Sequence, residues 1–395
     1  MTVISSEIMN FSRWTKDYSI RKFTEHEFSE LRDKWELLLS GSEQDRLFMG
    51  WNWQYLWWKQ WSKVLNNELI LLGVYNNCGD LVGIAPLYIC TVKVLPFLRF
   101  RQLHFIGCSR AIVDSVRTEY LDFILNKNCQ KEVREILLYY LNSSCEWDQM
   151  FISDIRADSE TTRNIEENKI LNHCSIRKVF VDRTTFIPTD GDFITYSTGL
   201  GKQTRYKAIN RSKYLFGVHG YNIEYADEST IEVYFQQMNE LHRKRWGTSC
   251  FSGCSLDFHT ELARLSCTEG NLVFSRISVN NRPISFLYNL RAGNREYNIQ
   301  SAFDENYKKN YSLGLVHLGL SIKAAFNNRA ITELDLLAGT GKHEYYKSHL
   351  GNEGHVLFSL QIIRNAWLSM LYGVYDVLPA KLKILYSYCR SLGLN

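Results

Sequence analysis

"EYNIQSAFDENYKKNYSLGLVHLGLSIKAAF", Glu296 to Phe326, changes its hydrophobic period halfway along. EYNIQSAFD reads as a strand, and SLGLVHLGLSIKAAFNNRA, from Ser312, reads as a helix that starts near Ser312 and Gly314. Lys308 and Lys309 stand just before that start. Unpaired N–H groups at a helix N-terminus attract anions, and flanking lysines deepen the positive potential. No GxxxxGK[ST] spacing occurs here, so the stretch is not a nucleoside-triphosphate loop of the Walker kind. An ordinary turn with solvated lysines is the plain alternative.

Working outward, NLVFSRISVNNRPISFLYNLRAGNREYNIQSAFD gives three strands joined by VNNRPI and RAGNRE turns, and ITELDLL reads as a last strand. STIEVYFQQMNELHRKRWG is a capped helix ended by Gly247, and a basic helix runs from Arg205 to Gly217. The first half repeats the theme. TEHEFSELRDKWELLLSGS opens with a capping box at Thr24 and Glu27. LFMGWNWQYLWWKQW spaces its tryptophans as a buried helix face rather than a sugar-stacking platform. Two apolar runs flank NNCGD, a hairpin signature, and TEYLDFIL, KEVREILLYYLNS and WDQMFISDI read as strand, helix and strand. The expected fold class is therefore α/β (α+β), with two modules of mixed, mostly antiparallel twisted sheet flanked by helices. Their expected extents are 1–195 and 196–395.

Composition sets bounds. Hydrophobic residues at 45% and charged residues at 22% supply a core for 395 residues. A net charge of +4 is too mild for a nucleic-acid binder, which shows a dense basic stripe. The ten cysteines are scattered. Cys250 and Cys254 form the one close pair, with no second CxxC and no histidine spacing to complete a zinc set. MTVISSEIMNFSRW lacks a cationic segment followed by an apolar one, so reduced thiols in the cytoplasm are expected. The tail AWLSMLYGVYDVLPAKLKILYSYCRSL is interrupted by Asp376, Pro379 and three basic residues. It reads as a packed C-terminal helix pair without stable membrane insertion; a membrane-surface role is the other option.

DLLAGTGKHEYYK, Asp335 to Lys347, also lacks the Walker spacing and reads as the end of a core strand, a Gly339/Gly341 turn and an aromatic-lysine wall. The order of the basic helix, ELHRKRW, RPISFLYNL, YNIQSAFD…YSLGLVHLGLSIKAA and ITELDLLAGTGKHEYYKSHLG resembles the GNAT acyltransferase superfamily. More closely it looks like the CelD/BcsL-like (BioF2-like) acetyltransferase group of polysaccharide gene clusters. LFMGWNWQYLWWKQW and GDLVGIAPL match that group's N-terminal landmarks, so the likeness covers residues 25 to 350. Fem-type aminoacyltransferases share related two-module folds.

The resemblance implies an acyl-CoA site in the second module and no metal. Pantetheine would lie along Ile299 to Phe303, with Ser301, Ala302 and Phe303 in contact. The pyrophosphate would sit at Tyr311, Ser312, Leu313 and Gly314. Only Gly314 meets the family's Q/R-x-x-G-x-G/A phosphate signature. Tyr345 would protonate the departing thiolate, Lys347 would hold a phosphate, and Tyr346 would face the acceptor. An amine must be neutral to attack a thioester, so a base or a desolvated pocket must take its proton; His242, Asp304 and Asp335 are the candidate bases, in that order. Each also has a plain role: helix face, turn cap and structural hydrogen bond. Arg205, Arg245 and Trp246 are the acceptor-side candidates, Arg205 because guanidinium suits a diphosphate.

The expected activity is acyl-CoA-dependent N-acyl transfer to an amino sugar, nucleotide-linked (dTDP- or UDP-) and destined for surface polysaccharide. Its partners would be these two small molecules, without nucleic acid. The acceptor class comes from the resemblance alone. The rival readings are a Fem-like aminoacyl-tRNA-dependent transferase and a non-catalytic scaffold for polysaccharide assembly.

Overall fold

A computed structural model describes residues 17–65, 67–95, 98–109, 115–167, 170–308, 311–339 and 346–377. Tyr345, Gly341, Lys309 and the tail beyond Val377 lie outside the described residues. The chain divides into two compact units, one of residues 1–111, 117–181 and 357–395, the other of 112–116 and 182–356. The expected boundary at 195/196 thus falls inside the second unit, and residues 357–395 group with the first.

In the first unit, β1 (Tyr18–Phe23), β2 (Glu68–Asn76), β3 (Leu81–Leu95) and β4 (Leu98–Phe105) pair antiparallel in sequence. The short β5 (Ile124–Leu125) pairs with β3, and β4 meets β6 (Gln149–Arg156) in parallel. Asn76 turns the β2–β3 hairpin: its Oδ1 accepts the N–H groups of Cys78 and Asp80, while Gly79 takes φ +82°. The capping box at Thr24 is present with both of its bonds, but the helix it starts ends at Glu30 and a second runs Arg32–Ser40. Helix Trp51–Leu65 buries all five tryptophans, so the run is core and not a sugar platform. TEYLDFIL is mostly not strand. Thr118 there bonds the Gly107 carbonyl and the Trp53 indole, and Tyr120 is left-handed at φ 58°.

In the second unit, the C-terminal part of β7 (Ser175–Pro188) is followed across the sheet by β12 (Glu333–Asp335), β11 (Arg295–Phe303), β10 (Arg282–Ala292), β9 (Leu272–Val279) and β8 (Tyr221–Tyr225). Of these neighbours, β11 and β12 run parallel and the other pairs antiparallel among the described residues. β12 is three residues long and is not the last strand, because β13 (Asn352–Ile363) follows it. Both units therefore have the expected mixed, mostly antiparallel sheet with flanking helices.

Helices Ile231–Trp246 and Cys254–Thr268 cover one face of this sheet, where Tyr234 and Phe235 pack on Phe274, Phe286 and Tyr288. Helix Leu313–Asn327 covers the other face, setting Leu313 and Val316 against Ile277 and Ile284. Full burial of one such aliphatic side chain contributes about 1.5–3 kcal/mol. A helical run from Lys202 to Phe216, with a π-helical turn at Tyr206–Asn210, crosses closely at Gly319. A Cβ added there would stand 2.0 Å from the Ala208 carbonyl oxygen.

His317 ties the helix to the sheet. Its Nε2 lies 2.9 Å from Ser275 Oγ and its Nδ1 2.8 Å from Ser285 Oγ. Burial pushes its pKa down to about 3, and burial among Phe251, Phe258 and Tyr288 does the same to His259. The folded chain keeps both rings neutral, whereas the unfolded chain protonates them below the ordinary 6.5. Their stabilisation is complete above that value and is lost as pH falls toward about 3.

Two predictions follow from this packing. Gly319→Ala should destabilise the chain by about 1–3 kcal/mol, since the blocking atom is backbone; an unchanged denaturation midpoint would contradict the close crossing. Each neutral histidine should cost about 2 kcal/mol of stability between about pH 7 and about pH 5. Denaturant titrations across that range should show His317→Gln with a flatter pH dependence than the parent, and identical slopes would refute the assignment.

Candidate active site

The pairing of β11 with β12 lasts three residues: Arg295 opposite Glu333, Glu296 opposite Leu334 and Tyr297 opposite Asp335. Beyond Tyr297, β11 continues to Phe303 paired with β10, and no backbone partner on its other side occurs among the described residues. The chain after Asp335 turns away. Leu336 donates its N–H to the Thr185 carbonyl, and Leu337 is left-handed at φ 60° with its N–H on Asp335 Oδ1, 2.7 Å away. A wedge therefore opens between the end of β11 and the chain that leaves β12.

Side chains hold both sides of this wedge. On the β11 side the register with β10 shifts, leaving Ile299 as an extra residue between Asn298 and Gln300. Asn298 Nδ2 donates to Asn289 Oδ1 at 2.8 Å, and Asn289 Nδ2 donates to buried Glu296 at 2.7 Å and to Ser321 Oγ at 3.0 Å. Arg291 Nε donates to the other Glu296 oxygen. On the β12 side, Lys347 Nζ donates to the carbonyls of Leu337 and Ala338, at 3.1 and 3.0 Å. This lysine, expected on a phosphate, is largely buried and braces the departing loop.

The N-terminus of helix Leu313–Asn327 meets the tip of β11. A Cβ on Gly314 would lie 2.4 Å from the Phe303 ring, so the glycine permits the contact. The first-turn amides of Leu313, Gly314 and Leu315 have no acceptor among the described residues, and Val316 is the first to donate back, to Ser312. Arg211 Nη1 donates to Ser312 Oγ at 2.6 Å, and its guanidinium lies 4.9 Å from the Tyr206 ring centroid. Hydrogen bonds from Tyr214 and Arg211 hold the Tyr206 phenol below its ordinary pKa. Lys308 lies over Tyr311, 5.2 Å from its centroid. The positive end of the helix is thus ringed by cations and phenols.

Helix Ile231–Trp246 supplies the other wall. Its buried stripe of Tyr234, Phe235, Met238 and Leu241 leads to half-buried His242 and Arg245 at the C-terminal end. The Arg245 guanidinium lies over Phe303 at 4.4 Å and Trp246 at 4.7 Å, and it pairs with Glu305. Burial raises the Tyr346 phenol pKa and the nearby charge of Arg245 opposes that shift. His242 Nδ1 stands 2.7 Å from the Thr248 carbonyl. A carbonyl only accepts, so Nδ1 carries the hydrogen and the neutral ring keeps its lone pair on Nε2.

The structure thus brings Phe303, Tyr311, Ser312, Leu313, Gly314, Arg245, Trp246 and Tyr346 around the tip of β11, with Ser301 and Ala302 on the strand itself. Asp304 pairs with Arg282 at 2.7 Å and accepts the Asn306 N–H, which makes it a turn residue. Asp335 is buried and caps the Leu337 turn, with Arg295 at 4.0 Å. Arg205 donates to the Thr198 carbonyl, and Arg211 occupies the place beside Ser312. Sequence reasoning passed over Arg211, Asn289, Glu296 and Asn298; three polar residues inside otherwise apolar strands were the available signal.

Residues 202–348 match the model of the acetyltransferase (GNAT) domain. Among solved structures, FemX superposes with a TM-score of 0.59 at 10% identity, over 89% of this chain and 99% of its own. A conserved protein of unknown function from Bacteroides thetaiotaomicron VPI-5482 reaches 0.51 at 8% identity, over 87% and 99%. At such identities these likenesses establish the fold, and no curated protein matches the chain in sequence. Among the described residues no group of histidine, cysteine and carboxylate suited to a metal occurs. The wedge and the open helix end both lie within the matched segment: residues 202–348 form an acetyltransferase (GNAT) domain, and the chain is an acyltransferase.

Proposed function

We propose that the donor is an acyl-CoA and the acceptor the amine of an amino sugar, carried as a nucleotide diphosphate sugar for surface polysaccharide. The observation that carries the donor is the wedge: a strand edge from Asn298 to Phe303, unpaired among the described residues, ends against the open amides of helix Leu313–Asn327. A pantetheine arm has amides that pair with such an edge, and a pyrophosphate suits the helix end with Arg211 and Lys308 beside it. The acceptor class is supported by the resemblance to the CelD/BcsL-like group. Arg245, Trp246 and Tyr346 offer it a cation, an indole face and a phenol.

In this reading the amine attacks the thioester carbon directly, the C–S bond breaks, and the thiolate leaves with CoA. His242 Nε2 takes the proton that the nitrogen loses, because Asp304 and Asp335 are already engaged in their turns. The Ile299 bulge interrupts the ladder with β10, and in this reading a backbone N–H there serves the developing oxyanion.

CoA or acetyl-CoA at about a hundred times its Kd should stabilise the chain by about 2.7 kcal/mol in thermal-shift measurements. No shift with any acyl-CoA, together with turnover on aminoacyl-tRNA, would replace this reading with the Fem-like one. Arg211→Ala should weaken CoA binding about tenfold or more at unchanged fold stability; equal Kd values would remove it from the phosphate site. His242→Gln should lower kcat about 100-fold or more while leaving the Kd for CoA intact, and parental turnover would exclude it as the base. A mass-spectrometric screen of amino-sugar nucleotides against several acyl-CoAs tests the acceptor, with product on none of them counting against it.

A further inference from the structure

The basic run from Lys202 to Phe216 holds aromatic rings in solvent as well as cations. Tyr206 is 43% exposed and Tyr214 53%. Burial in this run goes instead to Ala208 and Leu215, which enter the cores on either side of helix Leu313–Asn327. Packing alone therefore gives these two tyrosines little reason to be aromatic, and exposed rings grouped together mark a contact surface.

The rings are held in a fixed arrangement. Tyr206 and Tyr214 hydrogen-bond through their phenols, and the Tyr214 ring lies 6.2 Å from that of Tyr311, tilted by 32°. Tyr307 stands edge-on to Tyr311 at 6.2 Å. Arg211 and Lys308 lie over Tyr206 and Tyr311, at 4.9 and 5.2 Å from their centroids. This cluster adjoins the open first turn of helix Leu313–Asn327 at two points. Arg211 donates to Ser312 Oγ, and Tyr311 directly precedes Ser312.

The acyl-CoA reading above, on which this inference rests, puts the donor's pyrophosphate at that helix end. The pantetheine arm then runs back along β11, and the adenosine half leaves on the other side, its base one ribose from the phosphates. A purine face stacks well on a tyrosine ring. The acceptor is the competing source of a base, but its candidate contacts Arg245 and Trp246 lie at Phe303, away from Arg211 and Tyr214. An aminoacyl-tRNA also ends in adenosine. There the terminal ribose carries the acyl group itself, so its base would stand beside the reacting carbon and not past the phosphates.

We propose that Tyr214, held by its phenol bond to Tyr206 and its ring contact with Tyr311, is the platform on which the adenine of the acyl-CoA donor stacks. The test compares Kd values of CoA, dephospho-CoA and 4′-phosphopantetheine for the full chain, Tyr214→Ala and Tyr214→Phe. Tyr214→Ala should weaken CoA and dephospho-CoA alike, about tenfold, and leave 4′-phosphopantetheine unchanged. Its melting temperature should match the parent's, because the side chain is exposed. Tyr214→Phe should keep most of the parental affinity for CoA, since stacking uses the ring and not the hydroxyl. Equal CoA affinity of parent and Tyr214→Ala would overturn the proposal. So would an equal loss for all three ligands, which would place the effect at the phosphates, or a loss for CoA but not dephospho-CoA, which would place it at the 3′-phosphate. A parent chain that binds none of the three would instead overturn the acyl-CoA reading, and this platform with it.

Discussion

Three residues of parallel pairing between β11 and β12, and no more, are the constraint on which the acyl-transfer domain depends. A longer ladder would satisfy the backbone of Asn298 to Phe303 internally and leave no open edge. A shorter one would leave β12 held by β7 alone. Bare backbone edges are unfavourable in a folded interior, so this one must be held open. The Asn298–Asn289–Glu296 network fixes the shifted register on one side. Asp335 and Lys347 absorb the N–H and carbonyl groups released by the left-handed turn at Leu337 on the other. A non-glycine residue in that conformation costs about 1–3 kcal/mol, which surrounding bonds must offset.

The same unit sorts its histidines by environment. His259 and His317 are sealed in the core, where a pKa near 3 leaves them neutral and out of reach. His242 lies at the end of its helix's buried stripe, half exposed, with one ring nitrogen committed to Thr248. Burial makes the first two into packing elements, whereas the third is oriented without being sealed in.

Much of this was legible from residues alone. The period change at Glu296–Phe326 placed β11 and helix Leu313–Asn327, and NNCGD, RAGNRE and the Thr24 capping box were legible because each rests on local chemistry. The tryptophan run read as core for the same reason of spacing. Non-local features stayed hidden. Nothing in NEGHVLFSLQII distinguished β13 until its partners were known, and TEYLDFIL looked like strand because its hydrogen bonds to Gly107 and Trp53 are distant in sequence. Asp304 and Asp335 stood second and third among the candidate bases, and their bonds to Arg282 and to the Leu337 N–H become visible only in the fold.

Arg205 and Arg211 carry the same guanidinium, and the π-helical turn at Tyr206–Asn210 lies between them. One extra residue in a turn rotates everything after it by about 100° relative to an α-helix. The turn therefore acts as a phase-setter: it determines which cation of the basic run is dialled toward Ser312. Charge and composition along this segment are thus less informative than its residue count. Deletion of Ile209 would keep every cation and still swing Arg211 away from the helix end.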